Sequence, residues 1–99
     1  MNEELNIRIV YNLTGEFDFP IFSQKVANFA EQSNLGGWIM IDDAIINSLK
    51  LTLEGRPIEI GAFITSIHTL LPKNSILSDI TIISKQEITV EEKICFMIL

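Results

Sequence analysis

Apolar and polar side chains alternate from the first ordered pattern in the chain. Leu5, Ile7, Ile9, Tyr11 and Leu13 share one face; Asn6, Arg8, Val10 and Asn12 share the other. A period of two predicts a half-buried strand, ended by Thr14-Gly15. The period then lengthens. Phe22, Val26, Phe29/Ala30 and Ser33 follow the three-to-four spacing of one buried helix face, with Lys25, Asn28, Glu31 and Gln32 on the wet side. Pro20 suits the first turn, and Asp18 before it is placed to cap. Asn34-Leu35-Gly36-Gly37 stops the helix, since Asn or Gly can take the left-handed C-terminal position.

Trp38 to Ile41 predicts a second strand. Asp42-Asp43 opens a turn, but Ala44-Ile45-Ile46 makes it apolar and leaves the hairpin boundary open by several residues. Ser48 to Leu53 predicts a third strand, with Leu49, Leu51 and Leu53 inward and Ser48, Lys50 and Thr52 outward. Strands joined this closely pair antiparallel. After the turn Glu54-Gly55-Arg56, Pro57 opens a second helix with Ile60, Phe63, Ile64, Ile67 and Leu71 as its buried stripe. Pro72-Lys73-Asn74 breaks it. Residues 76–84 predict a fourth strand and Gln86 to Glu92 a polar loop. Ile94, Phe96 and Ile98 then alternate with Cys95, Met97 and Leu99 in a closing fifth strand.

The order β-α-β-β-α-β plus a terminal strand predicts a ferredoxin-like α/β sandwich, one domain over residues 1–99. The closing strand is apolar on both faces. A sheet with helices on one side only would show polar residues outward there. Its outward face is therefore expected to be covered by a second copy or another protein, in a homodimer with Met97 and Leu99 near the interface.

Composition narrows the function classes. Thirteen acidic residues against seven basic give a net charge of -6. A nucleic-acid binder needs a basic stripe to displace counterions, and none is visible. An anionic membrane surface is excluded as a partner on the same ground, and no apolar run approaches the roughly 20 residues of a membrane span. The start MNEELNIR does not resemble a signal peptide, and the single cysteine, Cys95, allows no internal disulfide. Both features fit a cytoplasmic protein. His68 is the only histidine and has no Cys, Asp or Glu at ligand spacing, so no metal site and no cofactor are expected. Cys95 lacks a base at matching spacing and reads as a packed or exposed thiol. Asp42-Asp43 reads as turn chemistry.

Residues 13–38 carry a resemblance. Acylphosphatases have a strand, a loop of the form G-x-V-Q-G-V-x-F-R, and a helix ending in L-x-G-W. Gly15-Glu16-Phe17-Asp18-Phe19-Pro20-Ile21-Phe22-Ser23 lies on that loop without a gap, and Ala30, Leu35, Gly37 and Trp38 fall on later positions. Pro72, Leu77 and Ile80 are similar to the family's closing pattern. A strand like 93–98 resembles one in the acylphosphatase domain of hydrogenase-maturation carbamoyltransferases. The resemblance implies an acylphosphatase-type fold. It also implies that the catalytic positions have changed: Ser23 stands at the phosphate-binding arginine and Ile41 at the water-placing asparagine. Phe19 replaces a loop glycine, Pro20 removes a backbone donor, and Glu16 and Asp18 put negative charge where a dianion would sit. A retained activity would need a substitute cation from Arg8 or Lys25. Phe17, Phe19 and Ile21 would either plug the vacated pocket or form an exposed contact patch.

A second family resembles the chain in part. Flavin-binding blue-light sensor domains have a strand tyrosine, a G-I-T-G turn and an L-E-G motif, which are similar to Tyr11, Gly36-Gly37 and Leu53-Glu54-Gly55. The flavin-contacting glutamine of that family falls on Leu51. The expected function is thus a non-catalytic interaction or regulatory domain with an unidentified protein partner. The alternatives are a divergent acylphosphatase and a degenerate flavin sensor.

Overall fold

The computed structural model describes residues 5–42 and 47–99. The apolar stretch that left the hairpin boundary open lies outside these residues, as does Asp43. Five strands and two helices follow in chain order: β1 (Asn6–Glu16), α1 (Phe19–Gln32), β2 (Gly36–Ile41), β3 (Ser48–Gly55), α2 (Pro57–Ser66), β4 (Ile76–Ile88) and β5 (Met97–Ile98). They form one sheet in the order β4-β1-β3-β2-β5. This is the ferredoxin-like βαββαβ arrangement with an added terminal strand.

Alternation builds the core. Ile7, Ile9, Tyr11 and Leu13 of β1 and Leu49, Leu51 and Leu53 of β3 are buried with Phe22, Val26 and Ala30 of α1 and Ile60 and Phe63 of α2. The helices therefore cover one face of the sheet, as their apolar stripes require. Asp18 caps α1, with its carboxylate accepting from the Ile21 N–H. Asn34 ends the same helix in the left-handed region at φ 58°. Pro57 opens α2, which tightens into a 3-10 turn over Ile67–Leu70.

Three expectations need correction. β1 does not end at Thr14-Gly15: Gly15 and Glu16 stay in the strand and pair with Leu77 and Ile76. β4 runs four residues beyond Ser84 to Ile88, pairing Gln86 with Arg8 and Glu87 with Ile7. Ser84 to Glu87 are exposed on both faces of this edge strand, so its polar end carries no apolar alternation and resembles a loop. The outward positions of β3 are not wet either. Ser48 and Thr52 are buried, and so is Glu54, which belongs to the strand and not to a turn. β3 is the central strand: Thr52 and Glu54 lie between residues of β1 and β2, and Ser48 between Thr14 and Asp42, so neighbours on both sides exclude water.

The closing strand is shorter than its pattern. Only Met97 and Ile98 form a ladder, parallel to β2 at Trp38 and Ile39, with an isolated bridge between Gly36 and Cys95. β4 and β5 lie at opposite edges of the sheet. The connection between them therefore passes every other strand, with a 3-10 turn at Val90–Glu92 on the way.

Candidate functional site

The end of β1 and the start of α1 form a two-residue link, Phe17-Asp18. Its short reach follows from the strand continuing through Glu16. Phe17 folds back and stacks on Phe22, with ring centroids 5.1 Å apart. Phe17 and Phe19 are half-buried and pack against the core, whereas Ile21 is exposed.

The first turn of α1 is a natural anion site, because its leading N–H groups have no intrahelical partner. Here the chain has taken one of those donors and removed another. The Ile21 N–H points to the Asp18 carboxylate and the Phe22 N–H donates to the Asp18 carbonyl at 2.9 Å. Pro20 has no N–H. The Asp18 carboxylate thus sits where an external anion would dock. Ser23 is buried, and its hydroxyl donates to the Pro20 carbonyl at 3.3 Å. It is turned into its own helix.

Beside this link is a cavity of about 180 Å³ lined by Gly15, Phe17, Phe19, Ile41, Asn47, Ser48 and Leu49. None of these residues carries a positive charge. Two of its polar groups are already engaged: the Gly15 N–H donates to the Asn47 carbonyl at 3.0 Å, and the Ser48 hydroxyl donates to Asn12 Oδ1 at 2.7 Å. Ile41 offers an exposed apolar side chain there.

The two substitute cations lie apart from the cavity. Lys25 is exposed on the second turn of α1. Arg8 is seven residues from Gly15 along β1, about 23 Å at strand rise, so it cannot serve the link. It is committed elsewhere. Its Nε donates to Glu54 Oε2 at 2.6 Å, and its guanidinium lies 5.8 Å from the centre of the Trp38 ring.

That pair belongs to a second constellation, on the sheet face away from the helices. Glu54 is fully buried. Its other oxygen accepts the Ile94 N–H at 2.7 Å. The Ile94 carbonyl in turn accepts the Gly37 N–H at 3.0 Å, and Lys93 Nζ donates to the Asn34 carbonyl at 2.6 Å. Gly36 makes the approach possible: a Cβ there would sit 2.0 Å from the Ile94 carbonyl oxygen. Sequence reasoning treated Glu54 as a turn residue. The available signal was register: Arg8 and Glu54 are direct cross-strand partners with opposite charge. Next to this clasp, Glu31, Asn34, Lys93, Cys95 and Phe96 help line a cavity of about 330 Å³.

Beyond the clasp, Met97, Ile98 and Leu99 line the free edge and are 42%, 41% and 60% exposed. Phe96 packs against the core. Tyr11 and Leu51 are buried cross-strand partners in the core, and burial pushes the Tyr11 hydroxyl pKa up. Among the described residues, no group of three His, Cys, Asp or Glu side chains is placed to hold a metal ion, and no helix is long and apolar enough to cross a membrane.

The fold is shared with acylphosphatases. An acylphosphatase from Coxiella burnetii superposes with a TM-score of 0.74 at 20% identity, covering all of both chains. One from Bacillus subtilis gives a TM-score of 0.74 at 20% identity, over 94% of this chain and 98% of that one. Full-length HypF in its phosphate- and nucleotide-bound form gives 0.77 at 26% identity, over 99% of this chain but only 12% of HypF. No protein-family model and no curated protein matches the sequence.

Proposed function

We propose that this acylphosphatase-like chain is a non-catalytic interaction domain that works through the β2–β5 edge of its sheet. The observation that carries the reading is the run of exposed Met97, Ile98 and Leu99 on a strand held by only two ladder residues. An open apolar edge is a template for association unless something covers it. The link at Phe17 and Phe19 is the weaker candidate surface, because both rings pack inward.

The same reading accounts for the loop. Phosphoryl chemistry needs preorganised positive charge and donors aimed at the transferring group. Here Asp18 caps the Ile21 N–H, the described residues lining the nearby cavity include no cation, and Ser23 bonds to Pro20. Hydrolysis of benzoyl phosphate is therefore expected at background. A robust rate that disappears in Lys25→Ala would overturn this and favour a divergent acylphosphatase. Ser23→Arg with Ile41→Asn is expected not to restore turnover, because Pro20 and Asp18 remain. A flavin-sensor role has less support, since Leu51 fills the core beside Tyr11.

Association is tested by sedimentation of the wild type against Met97→Glu/Leu99→Glu. The expected result is a wild-type dimer that dissociates in the variant. A wild type that stays monomeric at high micromolar concentration refutes the edge as a self-association surface.

A further inference from the structure

We propose that residues 93–99 exchange between two copies of this chain, so that the Ile94 N–H of one copy closes on the Glu54 carboxylate of the other. This deepens the reading of the β2–β5 edge as a contact surface and rests on it. The exchange follows from how the segment is held and how little chain connects it.

The acceptor meets this segment through backbone groups, beside the ion pair it makes with Arg8. Glu54 is fully buried and gives one oxygen to Arg8 and the other to the Ile94 N–H. Gly36 leaves room for the Ile94 carbonyl, and Gly37 donates to it. Further along, the Leu99 N–H donates to the Ile39 carbonyl at 2.9 Å. Nearly all of these contacts are made by the segment's backbone. An identical segment from a second copy satisfies the same groups by identity, which is the condition for exchange of an element between protomers.

The connection is close to its limit. From β4 to β5 the chain crosses four strand spacings, about 19 Å. It also rises from the level of Asn6, the partner of Ile88, to that of Val10, which is level with Met97 through Thr52 and Trp38. That adds roughly 13 Å along the strands, for a diagonal of about 23 Å. The steps from Ile88 to Met97 include the 3-10 turn Val90–Glu92. With about 2 Å per residue there and about 3.3 Å elsewhere, the chain reaches roughly 26 Å. A linker that barely spans its ends loses the advantage of closing within one molecule. Short hinges under strain favour exchange. Opening at residues 89–92 frees the segment of each copy to seat on β2 of the other.

Complementation between full-length variants tests the exchange. Glu54→Gln damages the acceptor and leaves the segment intact. Ile94→Pro removes the donating N–H and leaves the acceptor intact. Gly36→Ala is a second acceptor variant that does not touch the buried charge, in case Glu54→Gln fails to fold. In an exchanged heterodimer of an acceptor variant with Ile94→Pro, one clasp is intact and the other carries both lesions, which meet at one contact and so cost less than their sum, whereas each homodimer has two singly damaged clasps. Native mass spectrometry of an equimolar mixture is expected to show the heterodimer favoured about tenfold over the statistical ratio, the size of one buried hydrogen bond. A statistical mixture overturns the exchange and leaves simple edge-to-edge association. A wild type that does not dimerise overturns both the exchange and self-association through the β2–β5 edge.

Discussion

Removing the Arg8 side chain from the clasp should be the most informative single change in this protein. In Arg8→Met the Glu54 carboxylate stays fully buried but keeps only the Ile94 N–H as a donor. Breaking a buried ion pair by deleting one partner typically costs about 3–5 kcal/mol, because the remaining charge is uncompensated. The guanidinium also leaves the Trp38 face, a contact of roughly 0.5–2 kcal/mol. Methionine retains much of the aliphatic stem, so the lower end of these ranges, about 3 kcal/mol in all, is expected. Domains of this size are stable by only about 5–15 kcal/mol. With a urea slope of about 1–3 kcal/mol/M, the unfolding midpoint should fall by roughly 1–3 M without a change in slope. The control is Arg8→Met/Glu54→Leu. Replacing both ions by apolar groups removes the stranded charge and should recover most of the loss, short of the roughly 1–3 kcal/mol left by an unpaired Ile94 N–H. An Arg8→Met loss below about 1 kcal/mol, or a double variant no more stable than Arg8→Met, would refute the claim that Glu54 depends on Arg8 for its charge.

Two further outcomes are expected. Phe63 is buried on α2 with its ring 5.0 Å from that of Phe29, so Phe63→Ala should lower the unfolding free energy by about 3–5 kcal/mol; His68→Ala, in the exposed 3-10 turn, should change it by less than about 0.5 kcal/mol, and equal effects would mean the helix phase is misassigned. The Arg56 hydrogen bond holds the Glu59 carboxyl below its usual pKa, so its contribution is present above the ordinary glutamate range and lost as pH falls through and below it; for a pair this accessible it is worth about 0.3–0.5 kcal/mol, and the stability gap between wild type and Glu59→Gln should close between pH 5 and pH 2 in urea titrations.

The parts of the fold that bury one clean face were legible in the sequence. The alternation of Ile7 to Leu13 and the stripe of Phe22, Val26 and Ala30 each had one solution, and both fall in the core. The parts that escaped were those where burial does not follow hydrophobicity. Ser84 to Glu87 are strand residues at an exposed edge, held by backbone pairing alone. Ser48, Thr52 and Glu54 are polar yet buried, because a central strand is shielded by its neighbours on both sides. The link residues were legible in chemistry but not in geometry. Asp18 was readable as a cap, whereas the inward turn of Phe17 onto Phe22 depends on β1 continuing through Glu16. Arg8 was misread as available because its partner, 46 residues away, is visible only in register.

The irregularities of β4 bear on how far association can proceed. Its pairing with β1 slips twice, leaving Ile83 and Ser78 as extra residues in the ladder. Bulges bend an edge and break its run of evenly spaced donors and acceptors. Ile82 and Ile83 are exposed there and would otherwise invite a neighbour. On the proposed reading the molecule has one edge open to extension, at β5, and one that its bulges protect, at β4. A sheet with two receptive edges can add copies without end, head to tail, and grow into a fibre. With one, the proposed pairing is expected to consume the only growing point and close the assembly at two.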